Sequence, residues 1–413
     1  MRIVPDQSRI PSNHGGQQEN REMLLLKKAC YETPAERECY DTTNESSSSS
    51  KKHHQHDSKE SRRAFLIWWS SVAIIVVSSM LLSLSLGMLL VQRAKNPRIN
   101  VAFVGNSFQF VNDLPRFLEA LSLGNIHQDS MLHGSLSLVT LLQRGNGMYN
   151  KWNTTNAVLK ENGIFDYGAC SIPQLLFGYD DDLSFRNKNG YYKGDGMNPC
   201  FQDDEYYKYR KARTSPSKWN YVILNDQSVR PAYEKKRNVS INRLKTTYSP
   251  MLVEIGATPV LLMTHGYWRD SVNMTDLVDV PTFTSLLYEG YQEYAQLLKD
   301  ELPDSQAPLM APVGLAFLVI WEEKFELWER LFFQDQFHPS PLGTYLMGSC
   351  VYATLYKRLP ESEAYLSDSL WNRARRMQLY GDDLQVPTKY EAAYFQSIVR
   401  RVVLEGYMPI SLV

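Results

Sequence analysis

The run from Ala64 to Val91, AFLIWWSSVAIIVVSSMLLSLSLGMLLV, contains no charged residue, and nothing else in the 413-residue chain limits its fate as strongly. As a helix it is about 42 Å long, enough to cross a hydrocarbon core of about 30 Å with some tilt or overhang. The apolar part of a signal peptide covers about 7–15 residues close to the start of a chain, and a globular core helix rarely stays apolar on every face. The run fits neither description, so the sequence predicts one transmembrane helix over 64–91.

Flanking charge predicts its orientation. Lys51, Lys52, Lys59, Arg62 and Arg63 precede the span, whereas Arg93, Lys95 and Arg98 follow it. The larger positive cluster places the N-terminus in the cytosol and the rest of the chain in the lumen or outside the cell. Three glycosylation sequons, at Asn153, Asn238 and Asn273, lie on that far side. They agree with a type II, single-pass signal-anchor protein of the secretory pathway, in the ER, the Golgi or at the cell surface.

Residues 1–63 show no hydrophobic periodicity and contain the run Ser46–Ser50 followed by Lys51, Lys52, His53, His54 and His56. They are expected to be a disordered cytosolic tail, and the histidines are read as solvated residues without a metal. Residues 92–98 are a short linker. Beyond them lie Cys170, Cys200 and Cys350, in an oxidising compartment where a Cys170–Cys200 disulfide is expected; their spacing matches no zinc site. The 44 basic and 45 acidic side chains give no global attraction to nucleic acid. An aromatic content of 12% is more than a disordered chain carries and calls for a packed core.

From residue 99 onward, apolar runs alternate with helical periods. Strand-like runs cover Ile99–Val104, Leu136–Leu142, Tyr221–Leu224, Thr258–Met263 and Leu309–Val313. Helical patterns cover Asp113–Leu123, Asn242–Gly256 and Leu342–Tyr356. This alternation predicts an α/β fold with a mostly parallel sheet covered on both faces. Ligands gather at the carboxyl ends of such strands. The residues that follow the runs are Gly105-Asn106-Ser107, Gly145-Asn146-Gly147, Asn225-Asp226 and His265-Gly266. A further signal, Asp335-Gln336-Phe337-His338, lies just ahead of the last of these helices. A carboxylate three residues before a histidine on one loop can turn back to Nδ1, fix the tautomer and leave Nε2 to accept a serine proton.

The strings Phe103-Val104-Gly105-Asn106-Ser107, Asn225-Asp226 and Asp335-x-x-His338 resemble, in this order, blocks I, III and V of the SGNH hydrolases. The segments APVGLAF and FFQDQFHPSPLGTYLMGSCVYATLY also resemble a branch of that superfamily. The resemblance covers 99–358 and implies a three-layer αβα sandwich of flavodoxin-like type. It implies Ser107 as nucleophile, His338 as base and Asp335 as the group that orients it, with no cofactor and no metal. Oxyanion donors would be the Ser107 N–H, the N–H of Gly145 or Gly147, and the Asn225 side chain. Two departures, Asn106 for the aspartate of GDS and Ile223 for the glycine of GxND, leave these groups intact but leave the substrate class open. His265 is a rival base and is expected instead to pack or line the pocket. Ser228 and Ser340 are the rival serines.

The implied activity is hydrolysis of an acyl ester, such as acetyl, on a glycan or lipid. The alternatives are polysaccharide O-acyl transfer of a Golgi type, through the same acyl-enzyme, and a non-catalytic glycan-binding protein that keeps the fold. Within 99–358, the insertion 160–218 carries Tyr167, Tyr179, Tyr191, Tyr192, Tyr206, Tyr207 and Tyr209, which can stack on sugars or pack the insertion onto the core. Its acidic residues, Asp180–Asp182 and Asp195, lack calcium-loop spacing. Residues 359–413 form a C-terminal segment, helical around Glu363–Met377 and Lys389–Leu404, with no chemistry of its own.

Overall fold

The computed structural model describes residues 57–95, 98–147, 169–178, 218–267, 277–362, 364, 371 and 386–413. Residues 1–56 of the predicted 1–63 tail, most of the 160–218 insertion with all seven of its tyrosines and its acidic residues, the Asn153 and Asn273 sequons and nearly all of Glu363–Met377 lie outside them, whereas residues 57–63 of that tail are helical instead. The chain divides into two units, Met1–Ser78 and Ser79–Val413.

A helix covers Asp57–Lys95. Within it Ile67–Ser85 has a mean hydropathy of 2.0 and none of it is buried, so it is long and apolar enough to cross a membrane. Four of the serines in this stretch bond back to carbonyls of their own helix. Ser70 and Ser71 donate to the Ile67 carbonyl, Ser83 to Ser79 and Ser85 to Leu82, which satisfies them without water.

Five strands form one sheet: β1 (Ile99–Gly105), β2 (Ile126–Leu132), β3 (Tyr221–Leu224), β4 (Thr258–Leu262) and β5 (Leu309–Ala311), in the order β2-β1-β3-β4-β5. Every neighbouring pair is parallel. The central strands are apolar and buried almost throughout, as strands covered on both faces must be. From β1 the chain steps outward to β2, then returns past β1 and proceeds the other way through β3, β4 and β5. Right-handed crossovers therefore put the helix Leu114–Leu121 on one face and the helices of 234–255 and Val280–Glu301 on the other. The helix Pro341–Tyr356 packs against Leu114–Leu121 and β5. The winding reverses between β1 and β3, and the carboxyl ends of the strands at such a point are where sheets of this kind bind ligands.

One predicted strand is wrong. Leu136–Leu142 belongs to a helix, Leu138–Arg144, started by a reciprocal cap between Ser137 and Thr140. The second strand is Ile126–Leu132 instead. It forms the sheet edge, so His127, Gln128 and Asp129 remain partly or fully exposed and break the apolar run that a buried strand would show. At β5 the run Leu309–Val313 splits, with Pro312 ending the strand and capping the helix Val313–Glu323. The helical region expected over Asn242–Gly256 begins earlier, at Glu234, and ends at Gly256, whose φ of +66° suits glycine.

The helix Val280–Glu301 was not anticipated. Its buried stripe of Val280, Phe283, Leu287, Tyr291, Tyr294 and Leu298 has helical spacing, and Asp279 caps it by accepting from the Thr282 N–H. At the C-terminus, Lys389–Val399 packs on Pro341–Tyr356.

Candidate active site

β1 ends at Gly105, and Asn106 caps the helical turn Ser107–Phe110 by accepting from the Phe108 N–H at 3.2 Å. Ser107 occupies the first position of that turn. Among the described residues its own N–H has no acceptor, because the first amides of a helix have no intrahelical partner. The Asn106 amide donates to the carbonyls of Asp226 (2.9 Å) and Leu136 (3.2 Å). An aspartate could not do so, which gives the GNS departure a structural reason: position 106 needs a donor.

Asn225, at the end of β3, is fully buried. Its Oδ1 accepts from the Asn106 N–H (3.2 Å) and Gln109 Nε2 (2.6 Å), and its Nδ2 donates to Asn106 Oδ1 (3.0 Å) and the Asp226 carbonyl (3.1 Å). The two asparagines bolt β1 to β3. They fit because Gly105 lacks a Cβ; one built there would stand 1.8 Å from Asn225 Oδ1. Asp226 beside them is a scaffold group. Its buried carboxyl oxygens accept from the Leu138 and Gln227 N–H groups and from the Ser240 and Tyr294 hydroxyls, and Arg230 Nε lies 3.8 Å away.

In this structure Gly145, Gly147 and Asn225, expected as oxyanion donors, are engaged in hydrogen bonds inside the fold. Both hydrogens of the Asn225 amide are already spent. The Gly145 N–H donates to the Leu141 carbonyl, closing the helix Leu138–Arg144, and the Gly147 N–H donates to the Leu132 carbonyl. Gly147 lacks a side chain for a different reason, since a Cβ there would lie 2.4 Å from the His133 ring. Because Asn225 makes four buried hydrogen bonds, Asn225→Ala is expected to lower stability by about 1–3 kcal/mol, measured by denaturant unfolding. An unchanged unfolding midpoint would show that the bolt carries no weight.

Asp335 holds its own loop together. Its Oδ1 accepts from the N–H groups of Phe337 (3.0 Å) and His338 (2.9 Å), and its Oδ2 lies 2.6 Å from His338 Nδ1. Burial alone would push the Asp335 carboxyl up, but the side-chain and backbone hydrogen bonds from His338 bring it below its ordinary value. An ionised carboxylate only accepts, so Nδ1 carries a proton, and in the neutral imidazole Nε2 is the nitrogen that presents a lone pair. Nε2 is buried and has no hydrogen-bond partner among the described residues. The loop is fixed further by the Phe333 N–H donating to the His338 carbonyl and by a bridge between Phe332 and Pro339.

The two segments meet around Phe108. Its ring centroid is 5.9 Å from that of His338, 5.0 Å from Phe337 and 4.9 Å from His265. Ser107, the preceding residue in the chain, is 8% exposed. The Ser107 turn and the Asp335–His338 loop thus meet through the Phe108 ring, which lies beside His338 and Phe337. No hydrogen bond joins Ser107 to His338; such contacts often tighten only when substrate binds.

His265 is wholly buried and stacks on Phe317 at 4.5 Å. Its Nε2 lies 3.2 Å from the Phe337 carbonyl, so that nitrogen carries the proton. Burial lowers its pKa to about 4 and keeps it neutral. It supports the His338 loop from below. Ser340 caps the helix Pro341–Tyr356 and donates to the Arg330 carbonyl, while Ser228 accepts from the Tyr267 hydroxyl.

Cys170 is disulfide-bonded, Cys200 lies outside the described residues, and Cys350 is free and buried. Asn238 is exposed on the helix Glu234–Arg243, but the hydroxyl of its sequon partner Ser240 is held by Asp226. Glycan attachment there would have to precede folding.

An α/β sheet with a serine turn after β1 and an Asp-His loop before the last sheet-covering helix defines the class of site. Among solved structures, the chain is similar to a protein from Slackia heliotrinireducens described as a candidate SGNH hydrolase, at 16% identity and a TM-score of 0.34, covering 62% of this chain and 98% of that one. It is also similar to a DUF4886 family protein from Bacteroides uniformis, at 14% identity and a TM-score of 0.44, covering 76% of this chain and 98% of that one. No family model and no curated protein matches the sequence.

Proposed function

We propose that the chain is a membrane-anchored serine esterase of SGNH type, acting on the lumenal or extracellular side on an acyl ester carried by a glycan or lipid. The observation that carries this reading is the His338 imidazole. Its Nδ1 lies 2.6 Å from Asp335 Oδ2, which favours the tautomer a general base requires, its buried Nε2 has no partner among the described residues, and its ring stands 5.9 Å from that of Phe108, the residue after Ser107. Ser107 Oγ would attack the acyl carbonyl as Nε2 takes its proton. The acyl-enzyme would form as the alcohol leaves with that proton, and water would then release the acid. The Ser107 N–H is the donor best placed for the developing oxyanion.

A second reading, a non-catalytic binding protein, is favoured by one observation. The amides expected from Gly145, Gly147 and Asn225 are engaged inside the fold. Exposure of the detergent-solubilised full chain to a fluorophosphonate, followed by assay of acetyl release from an activated ester without an acceptor, separates these readings. Labelling with acetyl release is the expected result. Glycan binding with neither would establish the second reading, and release that depends strictly on a sugar acceptor would make the protein a transferase.

A further inference from the structure

Ser107 and His338 lie on segments far apart in the chain, and one carboxamide joins those segments. Asn112 follows the Ser107 turn with a φ of +67°, a left-handed conformation that asparagine tolerates better than most residues. Its side chain is fully buried, and Nδ2 donates to the Pro339 carbonyl at 2.9 Å and to Thr344 Oγ1 at 2.8 Å. Pro339 directly follows His338, and Thr344 stands in the first turn of the helix Pro341–Tyr356.

The other main-chain groups around His338 are held elsewhere. Asp335 takes the His338 N–H, Phe333 donates to the His338 carbonyl, and His265 holds the Phe337 carbonyl. These ties set the shape of the loop and anchor it to β4. The tie from Asn112 sets where the loop stands relative to the serine. The Pro339 carbonyl requires a donor, so an aspartate of the same shape would turn a charge toward a carbonyl oxygen.

We propose that Asn112 is a positioning residue that fixes the separation of Ser107 Oγ and His338 Nε2. This rests on the serine-hydrolase reading above. A displacement of about 1 Å between reacting groups can cost about 10²-fold in rate, and a buried, doubly hydrogen-bonded amide resists such displacement.

The test uses full-length protein in detergent micelles. Asn112→Gly keeps the left-handed backbone accessible and removes only the latch. It should lower the inactivation rate constant for a fluorophosphonate by about 10–100-fold while leaving the probe's apparent binding constant nearly unchanged. Thr344→Val, which deletes one of the two acceptors, should show a smaller fall in the same constant. Carbethoxylation of His338 by diethyl pyrocarbonate, followed by mass spectrometry, should run several-fold faster in Asn112→Gly, since the latch no longer keeps Nε2 buried. A folded Asn112→Gly protein with wild-type inactivation and carbethoxylation rates overturns the proposal. So does a fall that merely tracks the folded fraction. If wild type itself is not labelled, the hydrolase reading fails, and the carbethoxylation rate decides the role of Asn112 alone. Should Asn112→Gly not fold, Thr344→Val decides by the same two readouts.

Discussion

Ser107→Ala should abolish covalent labelling by a fluorophosphonate and reduce ester turnover by at least about 10³-fold, and His338→Ala should do nearly the same. A serine hydroxyl is a weak nucleophile until a base stands within about 2.6–3.2 Å of it. The imidazole proposed as that base is His338 rather than His265, because His265 has turned its protonated nitrogen to the Phe337 carbonyl and is buried among Phe108, Phe317 and Phe332. Since nucleophile and base act as a unit, the double variant should be no slower than either single one. The measurement is kcat for an activated ester together with probe labelling, on protein shown to be folded by its unfolding midpoint. Neither substitution touches the asparagine bolt or the Asp226 scaffold, so that midpoint should change little. Labelling that survives Ser107→Ala and maps to Ser228 or Ser340 would move the nucleophile. This outcome would also require those hydroxyls to leave their present hydrogen bonds.

The sheet's inner strands were legible because burial on both faces forces uninterrupted apolar runs, as in Ile99–Gly105 and Thr258–Leu262. The edge strand was not, because its exposed face admits His127, Gln128 and Asp129, and the leucine-rich stretch beside it had the composition of a strand. A signal for the helix was present in Ser137 and Thr140, three residues apart and able to cap reciprocally. In the same way Asp279, Pro281 and the spacing of Phe283, Leu287, Tyr291 and Tyr294 marked the helix Val280–Glu301. The Asp335–His338 contact was legible because it is local: four consecutive residues suffice to close it. Oxyanion donors were not, since whether an N–H is free depends on which carbonyl faces it across the fold. The mislocated strand also carried the glycines with it. Gly145 was expected at a strand end, whereas it closes a helix, with a φ of +65°. Asn112 gave no sequence signal at all, as its partners Pro339 and Thr344 lie at the far end of the domain.

Asp335→Asn should leave the protein folded and nearly inactive. The two oxygens of this carboxylate do separate work: Oδ1 takes the Phe337 and His338 N–H groups, and Oδ2 takes His338 Nδ1. An asparagine can keep the first set with its carbonyl oxygen, so the loop keeps its shape. Its Nδ2 then faces the imidazole as a donor, which forces the ring proton onto Nε2 and removes the lone pair that would receive the serine proton. In serine-protease triads the corresponding change costs about 10⁴ in kcat, and a loss of that order is expected here. Stability should respond differently and with pH. The Asp335 carboxyl is held below its ordinary value in the fold, so the unfolded chain binds its proton first as pH falls. The stability it contributes is present in full above about pH 4, the unfolded carboxyl value, and is lost as pH falls through the lower folded value. Wild type should therefore unfold at a higher temperature than Asp335→Asn near pH 7, and the gap should narrow below about pH 4. Thermal melts across this range measure it, alongside kcat at neutral pH. A variant that retains more than about a tenth of wild-type kcat would remove Asp335 from the site, because a reversed tautomer cannot sustain general-base catalysis at that rate.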